Sequence, residues 1–161
     1  MKSNRLVIDT EYDLHTKVVS FIRDKYPETL MIAGLGENQT TSNVRISSWK
    51  KGCMAGQCDL MIMNPTSTFN SLCIEFKDPK GNYKVSEKQL EMKQMYAKNK
   101  CKYLMSNCFT DIIFEIIKHM EESNKYIKNR LKRNIRKEII VYDSSLDSSD
   151  DSSEDSDSDD E

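Results

Sequence analysis

In residues 73–81, CIEFKDPKG, a glutamate and a lysine stand two apart at the end of an apolar run. Side chains two apart on a strand point the same way, so Glu75 and Lys77 share a face with Ser71 and Cys73. Leu72, Ile74 and Phe76 take the other face. A second carboxylate, Asp59, lies near the start of another strand-like run, CDLMIM, residues 58–63. If the two runs pair antiparallel, an early residue of one comes beside a late residue of the other. Carboxylates held side by side repel unless a cation lies between them. Hard oxygen ligands suit Mg²⁺, which keeps several waters and binds through one or two carboxylates plus substrate phosphate. Lys77 is then placed to position or deprotonate a water. The plain alternative is an edge strand with a solvated polar face, because E-x-K alone is a weak pattern.

The elements that must hold these groups follow from spacing. Residues 9–26 read as a helix capped by Thr10 or Asp9, with an apolar stripe of Leu14, Val18, Phe21 and Ile22 and a stop at Pro27. Glu11 lies on or beside that stripe, where a charge needs a partner, although a first-turn glutamate also suits the helix dipole. TLMIA, residues 29–33, is a short strand. The strands at 58–63 and 71–77 form an antiparallel hairpin, since the link between them is too short for a helical crossover. Asp78-Pro79-Lys80-Gly81 is turn chemistry. Ser86-x-x-Gln89 is a capping-box pattern heading a helix to about Asn99, with Gln89, Met92 and Tyr96 on one side. A strand over 100–105 and a helix from about Phe109 follow, the latter turning Ile112, Ile113, Ile116, Ile117 and Met120 inward.

Between these elements, residues 34–57 are rich in Gly, Ser, Thr and Asn and read as a long loop with a strand at Val44–Ser47. Arg45, Lys50 and Lys51, beside the lone Trp49, suit phosphate contact. Residues 125–137, KYIKNRLKRNIRK, make a basic amphipathic helix, with Ile127, Leu131 and Ile135 four apart. Lys132, Arg133, Arg136 and Lys137 are its expected nucleic-acid contacts, a solvated face being the alternative. From Asp143 onward there are ten acidic residues and no Lys or Arg. The rest of the chain therefore sets 24 bases against 16 acids, a charge of +8 hidden within an overall −2. The acidic Ser/Asp segment is expected to be disordered, and the basic body points to a polyanionic partner. Five cysteines without a CxxC pair suggest reduced, packed thiols, and two distant histidines argue against a zinc site. No apolar run is long enough to span a membrane, and residues 1–13 lack a signal-peptide core, so an intracellular location, cytoplasm or nucleus, is expected.

Taken in order, D-x15-E-x-K after a glycine-rich approach and before Ser-x-x-Gln resembles the PD-(D/E)xK nuclease superfamily. Within it, GCMAGQCDLMI, LCIEFKDPKGNYKVSEKQ and KCKYLMSN resemble the VRR-NUC family. The resemblance covers roughly residues 8–120; no single motif is specific, but the ordered set is. It implies an α/β, restriction-endonuclease-like core, a mixed sheet of about four strands flanked by helices. It also implies Mg²⁺- or Mn²⁺-dependent hydrolysis of DNA phosphodiesters. Carried over by position, Asp59, Glu75, Lys77 and Gln89 are catalytic, and Glu11, Asp59 and Glu75 hold the metal. Cys58 departs from the family's usual proline. Stand-alone members act on branched DNA, as Holliday-junction resolvases do, often as homodimers, and occur in phages and large DNA viruses. DNA repair, recombination or replication is the implied setting. The expected organisation is a nuclease domain over 1–122, a basic helical extension over 123–142 and an acidic tail over 143–161. That tail is expected to bind basic proteins or the chain's own basic helix. The alternative is a catalytically weak DNA-binding or acidic-tail interaction protein on a nuclease fold.

Overall fold

A computed structural model describes residues 8–34, 41–81 and 83–146. Helix α1 (Glu11–Lys25) starts at a reciprocal cap. The Thr10 hydroxyl accepts from the Asp13 N–H at 3.0 Å, and the Asp13 carboxylate accepts from the Thr10 N–H at 3.1 Å. Strands β1 (Met31–Ala33), β2 (Leu60–Ile62), β3 (Ser71–Phe76) and β4 (Cys101–Ser106) form one sheet in that order. The β1–β2 and β2–β3 pairs are antiparallel. The β3–β4 pair is parallel, joined by helix α3 (Glu87–Lys98) as a crossover. The sheet is mixed and four-stranded, as the motifs imply.

Alternation along β3 sorts the core into two layers. Leu72, Ile74 and Phe76, with Leu60 and Ile62 of β2, pack against Leu14, Val18 and Ile22 of α1 and against Ile112, Ile116 and Met120 of helix α4 (Phe109–Leu146). Phe21 packs at the margin of this layer, only partly buried. On the other face Cys73 meets Cys58 and the α3 residues Met92 and Tyr96. Burying these side chains contributes about 1.5–3 kcal/mol for each large aliphatic one. His119 of α4 belongs to this framework, its Nε2 bonded to the Asn64 carbonyl at 2.8 Å.

Three expectations change. β3 is not an edge strand with a solvated face: it lies between β2 and β4, and all six of its residues are buried. Pairing with β2 and β4 closes both its edges, and α3 covers its polar side. Residues 44–47 are not a strand within a long loop but part of helix α2 (Ser42–Lys50), whose cap Thr41 accepts from the Val44 N–H at 3.3 Å. With no strand to pair with, this segment satisfies its backbone internally, as a helix does. The helix begun at Phe109 and the basic stretch are one element, α4, which continues past Asp143 to Leu146. Residues 147–161, most of the acidic segment, lie outside the described residues.

The chain divides into two compact units at Tyr126/Ile127. The first holds the sheet, α1 to α3 and the first part of α4. In the second, α4 exposes Lys132, Arg133, Arg136 and Lys137, together with Leu131 and Ile135. No helix among the described residues is long and apolar enough to cross a membrane.

Candidate functional site

The sheet register carries Asp59 to Glu75. Leu60 stands opposite Ile74, so one step outward sets Asp59 opposite Glu75. A hydrogen bond fixes it there: the Phe76 N–H donates to Asp59 Oδ2 at 2.8 Å. On the other side of Asp59, Gly34 donates its N–H to the Asp59 carbonyl at 2.8 Å. A side chain at Gly34 would strike the Cys58 carbonyl, since its Cβ would sit 2.3 Å from that oxygen. The close approach of β1 to the Asp59 backbone therefore requires glycine.

Glu75 is buried, with one oxygen engaged and one not. Its Oε1 accepts from Lys77 Nζ at 2.9 Å and from Gln89 Nε2. Its Oε2 is buried with no hydrogen-bond partner among the described residues. Burial, then the neighbouring charge of Asp59, raise the Glu75 carboxyl to about 7, with Glu11 adding a smaller push; Lys77 acts in the opposite direction. Glu11, Asp59 and Glu75 thus share one electrostatic neighbourhood, built from α1, the start of β2 and the end of β3. Lys77 is itself buried, its Nζ 6.0 Å from the centre of the Tyr83 ring. Its backbone N–H donates to Ser106 at 3.1 Å, extending the β3–β4 ladder past Phe76.

Gln89 does two jobs. Its Oε1 accepts from the Ser86 N–H at 3.0 Å, while the Ser86 hydroxyl accepts from the Gln89 N–H at 3.2 Å. The cap therefore uses the amide oxygen and leaves the NH₂ group for Glu75. Helix start and site are locked to the same side chain. Gly56, at φ +78°, lies against this helix start; a Cβ there would fall 2.5 Å from the Lys88 carbonyl carbon and oxygen. Behind Asp59, the Cys58 N–H donates to the Tyr96 hydroxyl at 3.1 Å, and that hydroxyl lies 3.3 Å from Cys58 Sγ. A proline at position 58 would lack this N–H.

On the α1 side of the site the sequence offers Glu11, but not its neighbours Tyr12, His15 and Arg23. A cleft of about 300 Å³ runs along α1, bordered by Tyr12, His15, Arg23, Gly34 and Asp59. His15 stacks on Phe76 with ring centres 4.4 Å apart. The available signal was helical spacing, since His15 is four residues from Glu11 and shares its face. Arg45 and Lys50 are exposed on α2, with Lys51 at its C-terminal cap. Lys132, Arg133, Arg136 and Lys137 belong to the second unit.

Among the described residues, no three His, Cys, Asp or Glu side chains are gathered closely enough to cage a metal on their own. The donor set is a carboxylate pair with one unsatisfied buried oxygen. That suits a cation completing its shell with water and phosphate and does not suit a closed structural site.

No family model matches the chain, and no curated protein matches it. A solved structure titled "VRR_NUC domain protein" superposes with a TM-score of 0.57 at 20% identity, covering 73% of this chain and 93% of that one. The chain has the fold of that VRR_NUC domain protein, the fold that its ordered motifs imply.

Proposed function

We propose that the chain is a divalent-metal-dependent nuclease that hydrolyses DNA phosphodiester bonds, acting on branched DNA. The observation that carries this reading is the Glu75 carboxylate. It is buried beside Asp59, raised to about 7, and keeps one oxygen unpartnered. A fold needs no such group for stability, because a buried unsatisfied polar atom costs about 1–3 kcal/mol. Asp59 and Glu75 would hold Mg²⁺ or Mn²⁺, with Glu11 supporting them through a bound water. When bound, that ion supplies Lewis-acid polarisation of the phosphoryl group and a water that deprotonates near neutral pH.

The remaining roles belong to the chain. Gln89 and Lys77 orient Glu75 by holding its Oε1, and the unpartnered Oε2 would be the oxygen available to a metal. Lys77 is placed to orient or deprotonate the attacking water and to offset charge developing on the phosphoryl oxygens. The exposed bases of α2 and of the second unit provide sequence-independent phosphate contacts.

The test is a panel of labelled linear, flap, splayed and four-way DNA, with Mg²⁺, with Mn²⁺ and with chelator. The expected result is metal-dependent cleavage, strongest on branched DNA, which is lost in Glu75→Ala. Cleavage by Glu75→Ala at the parent rate overturns the site. Equal cleavage of all substrates overturns the preference for branches.

A further inference from the structure

We propose that Trp49 is a stacking platform for an unpaired nucleobase, so that the first unit grips a single-stranded segment of its nucleic-acid substrate. This rests on the nuclease reading for its meaning, but not for its test. Trp49 is the only tryptophan of the chain and is 70% exposed. It joins neither core cluster, and α2 as a whole buries no residue. Two clefts of about 290 Å³ each open against the indole. Arg45 and Ile46 border one; Met54, Lys88 and Met95 border the other. An exposed ring that borders two clefts is placed to take a flat partner on its face.

Charge selects which flat partner. Arg45, Lys50, Lys51 and Lys88 lie on α2, its cap and the adjoining turn of α3. The carboxylate at the clefts is Glu91, bonded to Lys88 at 2.8 Å. The occupant is therefore anionic along its length and aromatic at intervals, which describes a nucleic-acid strand. An aromatic platform beside a cationic track is the recurring way to hold single strands, because every base has a π-face. A paired base inside a duplex has that face covered by its neighbours. A second copy of the chain fits less well, since a two-fold contact through this patch would set the cations of both copies against each other.

The platform is also tied to the site. Gly56, in the segment that leaves α2, packs directly on the Lys88–Gln89 backbone, and Gln89 reaches Glu75. A base stacked on Trp49 is thereby joined, through the close approach of Gly56, to the helix start that carries the residue orienting the buried carboxylate.

The single tryptophan makes the test direct. The full-length protein in chelator is titrated with a labelled oligothymidylate of about 15 nucleotides, and separately with the same strand annealed to its complement. Anisotropy reports binding and indole emission reports stacking. Expected are quenching by the single strand and none by the duplex. Trp49→Ala should bind the single strand at least about fivefold more weakly, Trp49→Phe should stay close to the parent, and duplex affinity should not change in either. Binding seen by anisotropy without any change in emission overturns the proposal, as does parental affinity in Trp49→Ala or no binding at all. Emission that depends on protein concentration, with Trp49→Ala sedimenting as a smaller species, overturns it in favour of a second copy. Glu75-dependent cleavage with a silent Trp49 removes the platform alone. Quenching without cleavage keeps the platform and removes the nuclease reading.

Discussion

Metal binding should depend on pH through Glu75, and the size of the effect can be worked out. The carboxyl sits at about 7 against an ordinary 4.5, because it is buried and faces Asp59. A metal must displace the proton to use this ligand. At pH 8 about 90% of Glu75 is ionised, and at pH 5.5 about 3%, so apparent affinity should fall by about thirtyfold, or ~2 kcal/mol. A carboxyl at its ordinary value would lose only about 10% over the same range. Stability moves the opposite way in metal-free protein. The raised carboxyl contributes stability that is fully present below 4.5 and is lost as pH rises through about 7. In full that loss is about 3 kcal/mol, and about half that once screening of the charge is allowed for. Calorimetric titration with Mn²⁺ at pH 5.5 and 8, beside thermal melts in chelator and in Mn²⁺, measures both. An affinity change under about twofold, or the same pH dependence in Glu75→Gln, would refute the assignment of the ligand and of its environment.

Lys77→Met should lower cleavage about a thousandfold, the effect of losing ~4 kcal/mol in the transition state, while Mn²⁺ still binds at pH 8 by calorimetry; equal loss of both would make Lys77 a support for the metal alone. The double change Glu75→Leu/Lys77→Met should be inactive yet at least as stable as the parent by denaturant melt, because apolar replacements of a buried ion pair are often neutral or stabilising by about 1–4 kcal/mol. Reversing the charges of Lys132, Arg133, Arg136 and Lys137 should weaken DNA binding across sequences and flatten its salt dependence, read by anisotropy at two ionic strengths. Ending the chain after Leu146 removes nine acidic residues and leaves α4 whole; DNA binding at low salt should tighten, and an unchanged affinity would rule out competition between tail and DNA.

Local chemistry was legible in the sequence, and long-range pairing was not. The Thr10 cap, the Leu14–Val18–Ile22 stripe, the hairpin and the Ser86–Gln89 box each arise within a few residues, so spacing finds them. D-x15-E-x-K placed the carboxylate pair for the same reason, because two antiparallel neighbours fix their own register. The burial of the polar face of β3 depends on α3 and on a parallel partner about thirty residues away, which no alternation within CIEFKDPKG reveals. Helix α2 was missed because Val44, Ile46 and Trp49 are all exposed, so no apolar period marks it. In α4 a change of charge was read as a change of element. Yet no Gly or Pro occurs between Phe109 and Leu146, and helices end at backbone signals rather than where charge changes sign. For Gln89 the resemblance supplies a site role beyond the capping box, but its partner, the buried Glu75 oxygen, emerges only from the fold.

The physical case for a working site rests on how poorly Glu75 and Lys77 serve the fold. The layer around them is Cys58, Cys73, Met92 and Tyr96, an apolar environment in which an ion pair loses more to desolvation than it gains. The arrangement makes this worse, since Asp59 is held beside Glu75 by the Phe76 N–H, adding repulsion that a longer distance would remove. Gln89 and Lys77 both spend their hydrogen bonds on the same oxygen, leaving the other bare. A network built for stability would divide its donors between the two oxygens. One that crowds them on Oε1 fixes the carboxylate in a single orientation and presents Oε2, and that is what a ligand for a cation requires. The two apolar layers on either side of the sheet supply the stability that lets such a group persist.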